Sequence, residues 1–280
     1  MTIIQAIILG IVQGLTEFLP VSSSAHLVLV PYLAGWNLDQ GFAFVFDVLV
    51  QLGTLAAVIY YFRKDLWEII KAWVHGIKTR QPLAAENSRM GWYLILATIP
   101  AGIAGLLLKN KVEAAFASPV LTAVFLFGTA ILLTGAEIFH RQIERGDKAR
   151  SLNGIKATDA VIIGLFQAIS IFPGISRSGA TISGGILRKF DRQSAARFAF
   201  LMSVPIMLAA GVLGVKDLLG VPNLGQMAGL VLTGFILAGL VGYLVIKWFI
   251  GYLRGKSLLP FAAYCAILAL IVIAVTYFRL

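Results

Sequence analysis

Charge is what this sequence has least of. Only 13% of its 280 residues are Asp, Glu, Lys or Arg, against roughly 25% in an average soluble domain, while 59% are hydrophobic. That balance excludes an ordinary soluble protein and indicates an integral membrane protein. No stretch is long or polar enough to form a separate domain outside the membrane. Cysteine is nearly absent: Cys265 stands alone, so no disulfide forms within the chain and the redox compartment cannot be read from it. The first residues lack a basic n-region and a small-residue cleavage site, so no signal peptide is expected. Acidic residues are few as well, 13 against 23 Lys and Arg. In a membrane protein this excess reports topology and contact with anionic lipid, and no nucleic-acid partner is expected.

What the sequence does have is apolar runs along its whole length. A span needs about 20 predominantly apolar residues, and six segments qualify: 42–62, 91–108, 119–136, 198–215, 224–246 and 257–278. Segments 3–38 and 157–187 are also apolar, but Pro20 and the run Ser22, Ser23, Ser24 interrupt the first, and Pro173 with GISRSGATISGG interrupts the second. A helix from Ile3 to Phe18 would rise about 24 Å, short of a hydrocarbon core about 30 Å thick. Each interrupted segment therefore reads as two half-helices meeting at a turn, a re-entrant hairpin. Such broken backbone survives at depth only within protein or a water-filled cavity. Asp47 and Gln51 are expected to face the bundle interior. The polar loop from Arg63 to Arg89 opens with an amphipathic stretch (Leu66, Trp67, Ile69, Ile70, Trp73, Val74) expected to lie along the interface.

The two halves resemble each other. Gly10-x-x-Gln13, followed by a proline and a serine cluster, matches Gly164-x-x-Gln167, followed by Pro173, Ser176, Arg177 and Ser178. Phe42-Ala43-Phe44 leading to Lys64-Asp65-Leu66 matches Phe198-Ala199-Phe200 leading to Lys216-Asp217-Leu218. Weak internal similarity of this kind marks a duplicated membrane fold. The expected architecture is an all-α polytopic protein, one integral domain of two repeats. Residues 1–150 hold the hairpin 3–38 and the first three spans, and residues 151–280 hold the hairpin 157–187 and the last three. A hairpin returns to its own side and three spans are an odd number, so the second repeat is inverted. Loop charge gives the orientation: loops 63–89, 137–157, 188–197 and 247–256, placed on one side, collect eighteen of the 23 Lys and Arg. By the positive-inside rule that side is cytoplasmic. The first hairpin then enters from outside and the second from the cytoplasm.

Inverted hairpins bring their tips, Pro20–Ser24 and Pro173–Ser178, together near mid-membrane. Each tip precedes a new half-helix and so presents the free N–H groups and positive dipole end of a helix N-terminus. With the hydroxyls of Ser22, Ser23, Ser24, Ser176 and Ser178 and the forked guanidinium of Arg177, this makes an anion site, and a phosphate site above all. Gln13 and Glu17 are four apart and share a helix face. Carboxylates at bilayer depth cost roughly 2.5 to 3.5 kcal/mol on insertion scales and are usually kept for a use. Ser23 and His26 are three apart, a spacing that would let the imidazole act on the hydroxyl. A serine, an imidazole and a carboxylate around an anion site point to phosphoryl transfer, to the serine or directly to water.

EFLPVSSSAHL at Glu17 to Leu27, PGISRSGATI at Pro173 to Ile182 and VQLG at Val50 to Gly53 together resemble the bacterial undecaprenyl-diphosphate phosphatase family, the bacitracin-resistance type. The resemblance covers nearly the whole chain. It implies hydrolysis of the terminal phosphate of a C55 isoprenoid diphosphate, which recycles the carrier lipid of wall-polymer synthesis. It also implies a multi-pass protein of the bacterial cytoplasmic membrane with an active site opening to the outer face, and leaves a homodimer open. By motif, Glu17, Ser23, His26 and Arg177 would be the catalytic residues, with Gln13, Ser22, Ser24, Gly174, Ser176, Ser178 and Thr181 binding the diphosphate. A divalent cation, Mg2+ or Ca2+, would bind at Glu17 with phosphate oxygens. Many relatives have a glutamate where this chain has Gln13, so such a cation would have one less negative ligand here.

On this reading Ser23 attacks the terminal phosphorus with His26 or Glu17 as base, or water attacks directly and Ser23 only binds. A competing function comes from the same architecture. Inverted repeats with broken helices are typical of secondary transporters, so an anion transporter or lipid-carrier flippase stands as the alternative.

Overall fold

The computed structural model describes residues 1–38, 40–146, 149–218 and 224–279. Among them are twelve α-helices and no strand, only an isolated bridge between Arg150 and Phe190. Two pairs of short helices stand out, α1 (Ile3–Thr16) with α2 (Ser23–Ala34), and α8 (Ala157–Ile169) with α9 (Arg177–Leu187). Between the pairs lie α3 (Gln40–Tyr61), α4 (Arg63–Lys78), α5 (Glu86–Leu107), α6 (Lys109–Phe116) and α7 (Pro119–Gly146). After them come α10 (Arg192–Leu218), α11 (Leu224–Tyr252) and α12 (Leu259–Arg279). Helices α5, α7, α10, α11 and α12 are long and apolar enough to cross a membrane, and α3 joins them when taken with α4, from which it is bent by 78°. Their outward faces carry exposed Ile131, Val212, Leu240 and Leu244, the surface that a bundle presents to lipid.

The apolar segments read as spans lie in α3, α5, α7, α10, α11 and α12, but several helices run past the expected limits. The clearest correction is α7, which continues from 136 to Gly146 through residues read as part of the loop 137–157. The reason is a partner. Glu137 is buried, and its carboxylate accepts from Arg192 Nη2 at 2.7 Å and Nε at 3.2 Å and from the Leu258 N–H at 3.1 Å. One carboxylate thus ties α7, α10 and the start of α12.

Further polar contacts gather the basic loops at the same end. Asp65 of α4 pairs with Arg197 of α10 at 2.5 Å, and Asp159 of α8 accepts from Arg150 at 3.0 Å and Arg188 at 2.7 Å. Gln193 donates to the Ile250 carbonyl at 2.9 Å. The four loops grouped by their charge therefore meet at one end of the bundle.

Within the bundle, helices approach through small residues. Lipid tails are as apolar as leucine, so helix association in a membrane depends on close backbone packing more than on hydrophobic burial. A Cβ on Gly10 of α1 would stand 2.8 Å from the Gly234 carbonyl oxygen of α11, and one on Gly164 of α8 would stand 2.5 Å from the Ala97 carbonyl oxygen of α5. The two glycines are the ones matched between the halves, and each seats its short helix on a long one. The side chains at 42–44 and 216–218, part of the other internal match, lie outside the described residues.

Gly10→Ala and Gly164→Ala each push a methyl into backbone and are expected to cost about 1–3 kcal/mol through overpacking. Gly102→Ala meets nothing within 4 Å and should be neutral or stabilising, since alanine is the better helix former. Thermal unfolding of the detergent-solubilised variants measures both.

Candidate active site

The first tip is built by Ser22. After α1 the chain turns through Leu19 and Pro20 and enters Ser22 at φ +68°, a left-handed conformation that a non-glycine residue holds at a cost of order 1–3 kcal/mol. Four hydrogen bonds hold it there. Its Oγ accepts from the Ala25 N–H at 3.3 Å, capping α2, and from the Gly174 N–H of the second tip at 3.2 Å. Its carbonyl oxygen accepts from the His26 N–H at 3.3 Å and bonds His26 Nδ1 at 2.8 Å.

The second tip is clamped from α7. Gly174 has φ +107°, and a Cβ there would collide with the Thr122 carbonyl oxygen and lie 2.6 Å from Phe125 Cβ, so only glycine fits. Thr129 Oγ1 donates to the Gly174 carbonyl at 2.7 Å and accepts from the Ser176 N–H at 2.8 Å. Ser176 caps α9 by accepting from the Gly179 N–H at 3.1 Å, and its Oγ lies 3.1 Å from that of Ser178.

The tips meet at Glu17. Its Oε1 accepts from Arg177 Nη2, the first residue of α9, and its Oε2 accepts from Ser23 Oγ, the first residue of α2, at 2.6 Å. Gln13 Nε2 also donates to Oε2 at 2.8 Å and reaches Thr54 Oγ1 of α3 at 3.4 Å. Ser178 Oγ donates to the Leu19 carbonyl at 2.9 Å, a further link between the tips. The Glu17 side chain is 2% exposed and that of Arg177 20%. Ser23 and Ser24 are also partly exposed, whereas Ser22, Ser176, Ser178 and Thr181 are buried. Two helix N-termini thus open on one carboxylate, with the candidate nucleophile and the guanidinium at its accessible edge.

Of the residues singled out from sequence, Gln13, Glu17, Ser23 and Arg177 form one hydrogen-bonded group, and Ser22 and Gly174 join the tips directly. Ser24 Oγ lies 3.2 Å from Ser22 Oγ. Thr181 is turned into its own helix, donating to the Arg177 carbonyl at 2.8 Å. His26 departs from expectation. Its imidazole bonds the Ser22 carbonyl and, through Nε2, the Tyr264 hydroxyl of α12 at 2.7 Å, while Ser23 Oγ turns to Glu17. A carbonyl oxygen only accepts, so in the neutral ring the proton is on Nδ1 and Nε2 accepts from the phenol. Arg177 pairs with Glu17.

Residues 6–271 match the family model described as "Bacitracin resistance protein BacA". The chain belongs to that family. Among similar proteins, one of Thermobifida fusca named "Undecaprenyl-diphosphatase" is 41% identical over 99% of this chain and 91% of its own length. One of Chlorobium phaeobacteroides with the same name is 44% identical over 94% of this chain and 93% of its own. "Undecaprenyl-diphosphatase 2" of Streptomyces coelicolor is 40% identical over 96% and 93%.

Thr54, Thr129 and Tyr264 build this site without having been singled out from sequence. Each is a lone hydroxyl in an apolar span, and nothing in the sequence separates it from a structural residue. Thr129→Val would leave the buried Ser176 N–H without a partner, a loss of about 1–3 kcal/mol. Thermal unfolding should show that drop, and Thr129→Ser, which keeps the hydroxyl, should restore most of it.

Proposed function

We infer that this chain hydrolyses undecaprenyl diphosphate to undecaprenyl phosphate and phosphate, recycling the carrier lipid in the bacterial cytoplasmic membrane. Family membership and the names of full-length relatives support the reaction, and the observation that carries the residue roles is the shared bonding of Glu17 to Ser23 Oγ and Arg177. The fold reading is two inverted repeats, each with a re-entrant hairpin. It is supported by the equivalent seating of Gly10 and Gly164, by the contact between the two tips and by the gathering of the basic loops at one end. With that end cytoplasmic, the first hairpin enters from outside and the site opens to the outer face.

In the reaction the diphosphate lies across the two helix N-termini, with Arg177 donating to it. Among the described residues only one guanidinium nitrogen has a protein partner, which leaves further donors of the fork for phosphate. Preorganised donors of this kind are worth roughly 2.7–4 kcal/mol each where measured. Ser23 Oγ attacks the terminal phosphorus and Glu17 takes the hydroxyl proton as the bond to undecaprenyl phosphate breaks. Water then attacks the phosphoserine, and Ser23 recovers a proton as phosphate leaves. Glu17 is the base in this reading because it holds the Ser23 hydroxyl directly, while both ring nitrogens of His26 are engaged elsewhere.

A divalent cation fits the donor set. Gln13 Oε1 is buried without a hydrogen-bond partner beside Glu17, and both are hard oxygen donors. No group of three His, Cys, Asp or Glu able to hold a metal occurs among the described residues, so such a cation would take its remaining ligands from substrate phosphates. Glu17 and the Gln13 carbonyl oxygen would hold it, and it would neutralise phosphate charge.

Phosphate release from undecaprenyl diphosphate by the purified protein tests the function, and lipid redistribution in liposomes without phosphate release would overturn it in favour of transport. Arg177→Lys replaces a bidentate fork by a point charge and should lose activity by about 100-fold or more. Rapid quench of the wild type should trap phosphoserine at Ser23, and Ser23→Ala with full turnover would remove the nucleophile role. Gln13→Glu adds a carboxylate and should lower the Mg2+ or Ca2+ concentration that gives half-maximal phosphate release. An unchanged value counts against a cation at Gln13 and Glu17.

A further inference from the structure

The last helix grips the first tip from outside. Cys265 Sγ lies 3.7 Å from the Pro20 carbonyl oxygen, just before the serine run, and its neighbour Tyr264 bonds His26, just after it. The Tyr264 and His26 rings are parallel within 3° with centroids 5.7 Å apart. Farther along α12, Thr276 bonds the Tyr32 hydroxyl at 2.8 Å, and Arg279 donates to the Tyr32 and Leu33 carbonyls at 2.8 and 3.1 Å. Helix α12 is thus held to α2 along its length, and the contact nearest the chemistry is the phenol.

A chain of hydrogen bonds runs inward from that phenol. The Tyr264 O–H donates to His26 Nε2, Nδ1–H donates to the Ser22 carbonyl, and Ser22 Oγ accepts from the Gly174 N–H of the other tip. Ser22 holds a positive φ of +68° with both its carbonyl and its hydroxyl engaged, and the next residue is Ser23. A small rotation at Ser22 swings the start of α2 and with it the Ser23 Oγ that stands 2.6 Å from Glu17.

We propose that Tyr264 is a positioning residue that acts through His26: it holds the imidazole in the Nδ1–H form, and so sets the Ser22 turn that aims Ser23 at the phosphate. This assigns His26 to the support of the turn and leaves proton transfer to Glu17. The inference rests on the phosphatase reading of the site.

Tyr264→Phe keeps the ring and its stacking and removes only the hydroxyl. It should lower kcat for phosphate release about fivefold to tenfold, the scale of one lost hydrogen bond, with KM unchanged. In a His26→Ala background the same substitution should have no further effect, because residues acting in one chain are not additive. Nitrogen-15 spectra of histidine-labelled protein supply a readout apart from activity. The His26 signals, assigned by their loss in His26→Ala, should show a protonated Nδ1 and a bare, hydrogen-bonded Nε2, and in Tyr264→Phe the Nε2 signal should move to the unbonded position. Tyr277→Phe, at the exposed end of the same helix, should change neither. An equal loss of kcat with and without His26, a KM effect alone, full activity in Tyr264→Phe, or a protonated Nε2 in the wild type each overturns the proposal. Absence of phosphate release by the wild type would instead strike the phosphatase reading itself, so the two failures are distinguishable.

Discussion

Everything at the centre of this molecule depends on one buried carboxylate. Glu17 binds the first residue of α2 and the first residue of α9, residues 154 positions apart in sequence, and so joins the two short-helix pairs where each is weakest, at a broken backbone. An unpaired carboxylate so buried would be costly. Paired with Arg177 and hydrogen-bonded by Ser23 and Gln13, it becomes the fixed point from which the helix N-termini are aimed. The positive ends of two helices and a guanidinium then face the same place, which is the electrostatic condition for holding a polyanionic headgroup in an apolar surrounding.

In that arrangement backbone strain lies directly beside the carboxylate. Ser22 takes a left-handed conformation that no side chain favours, and the residue after it carries the hydroxyl that Glu17 accepts from. The strain is sustained by bonds from three separate elements: the second tip through Gly174, α2 through Ala25 and His26, and α12 through Tyr264 acting on His26.

Much of this was legible from residue spacing. Proline and serine runs inside apolar segments mark the two tips because no continuous helix accommodates them, and Gln13 with Glu17 share a face by helical periodicity alone. The end of α7 was not legible, because the partner that lets the helix bury Glu137, Arg192, lies far along the chain. The same holds for Thr129, whose hydroxyl serves both sides of Gly174, and for Tyr264. Their roles arise from tertiary contacts to backbone atoms, which leave no pattern in sequence. His26 is the instructive case: its distance from Ser23 in sequence was read correctly, but the direction of its ring is decided by α12.

The span between Glu17 and Arg177 also has a consequence for biogenesis. The two residues are 160 positions apart, so at about 5–20 residues per second the ribosome needs roughly 8–32 s after making the carboxylate to deliver its guanidinium. Through that interval the first helix pair has no counter-charge for Glu17 and lacks the Gly174 N–H that Ser22 accepts from. The bonds from Arg177 to Glu17 and from Gly174 to Ser22 accordingly form only after the second half has been translated.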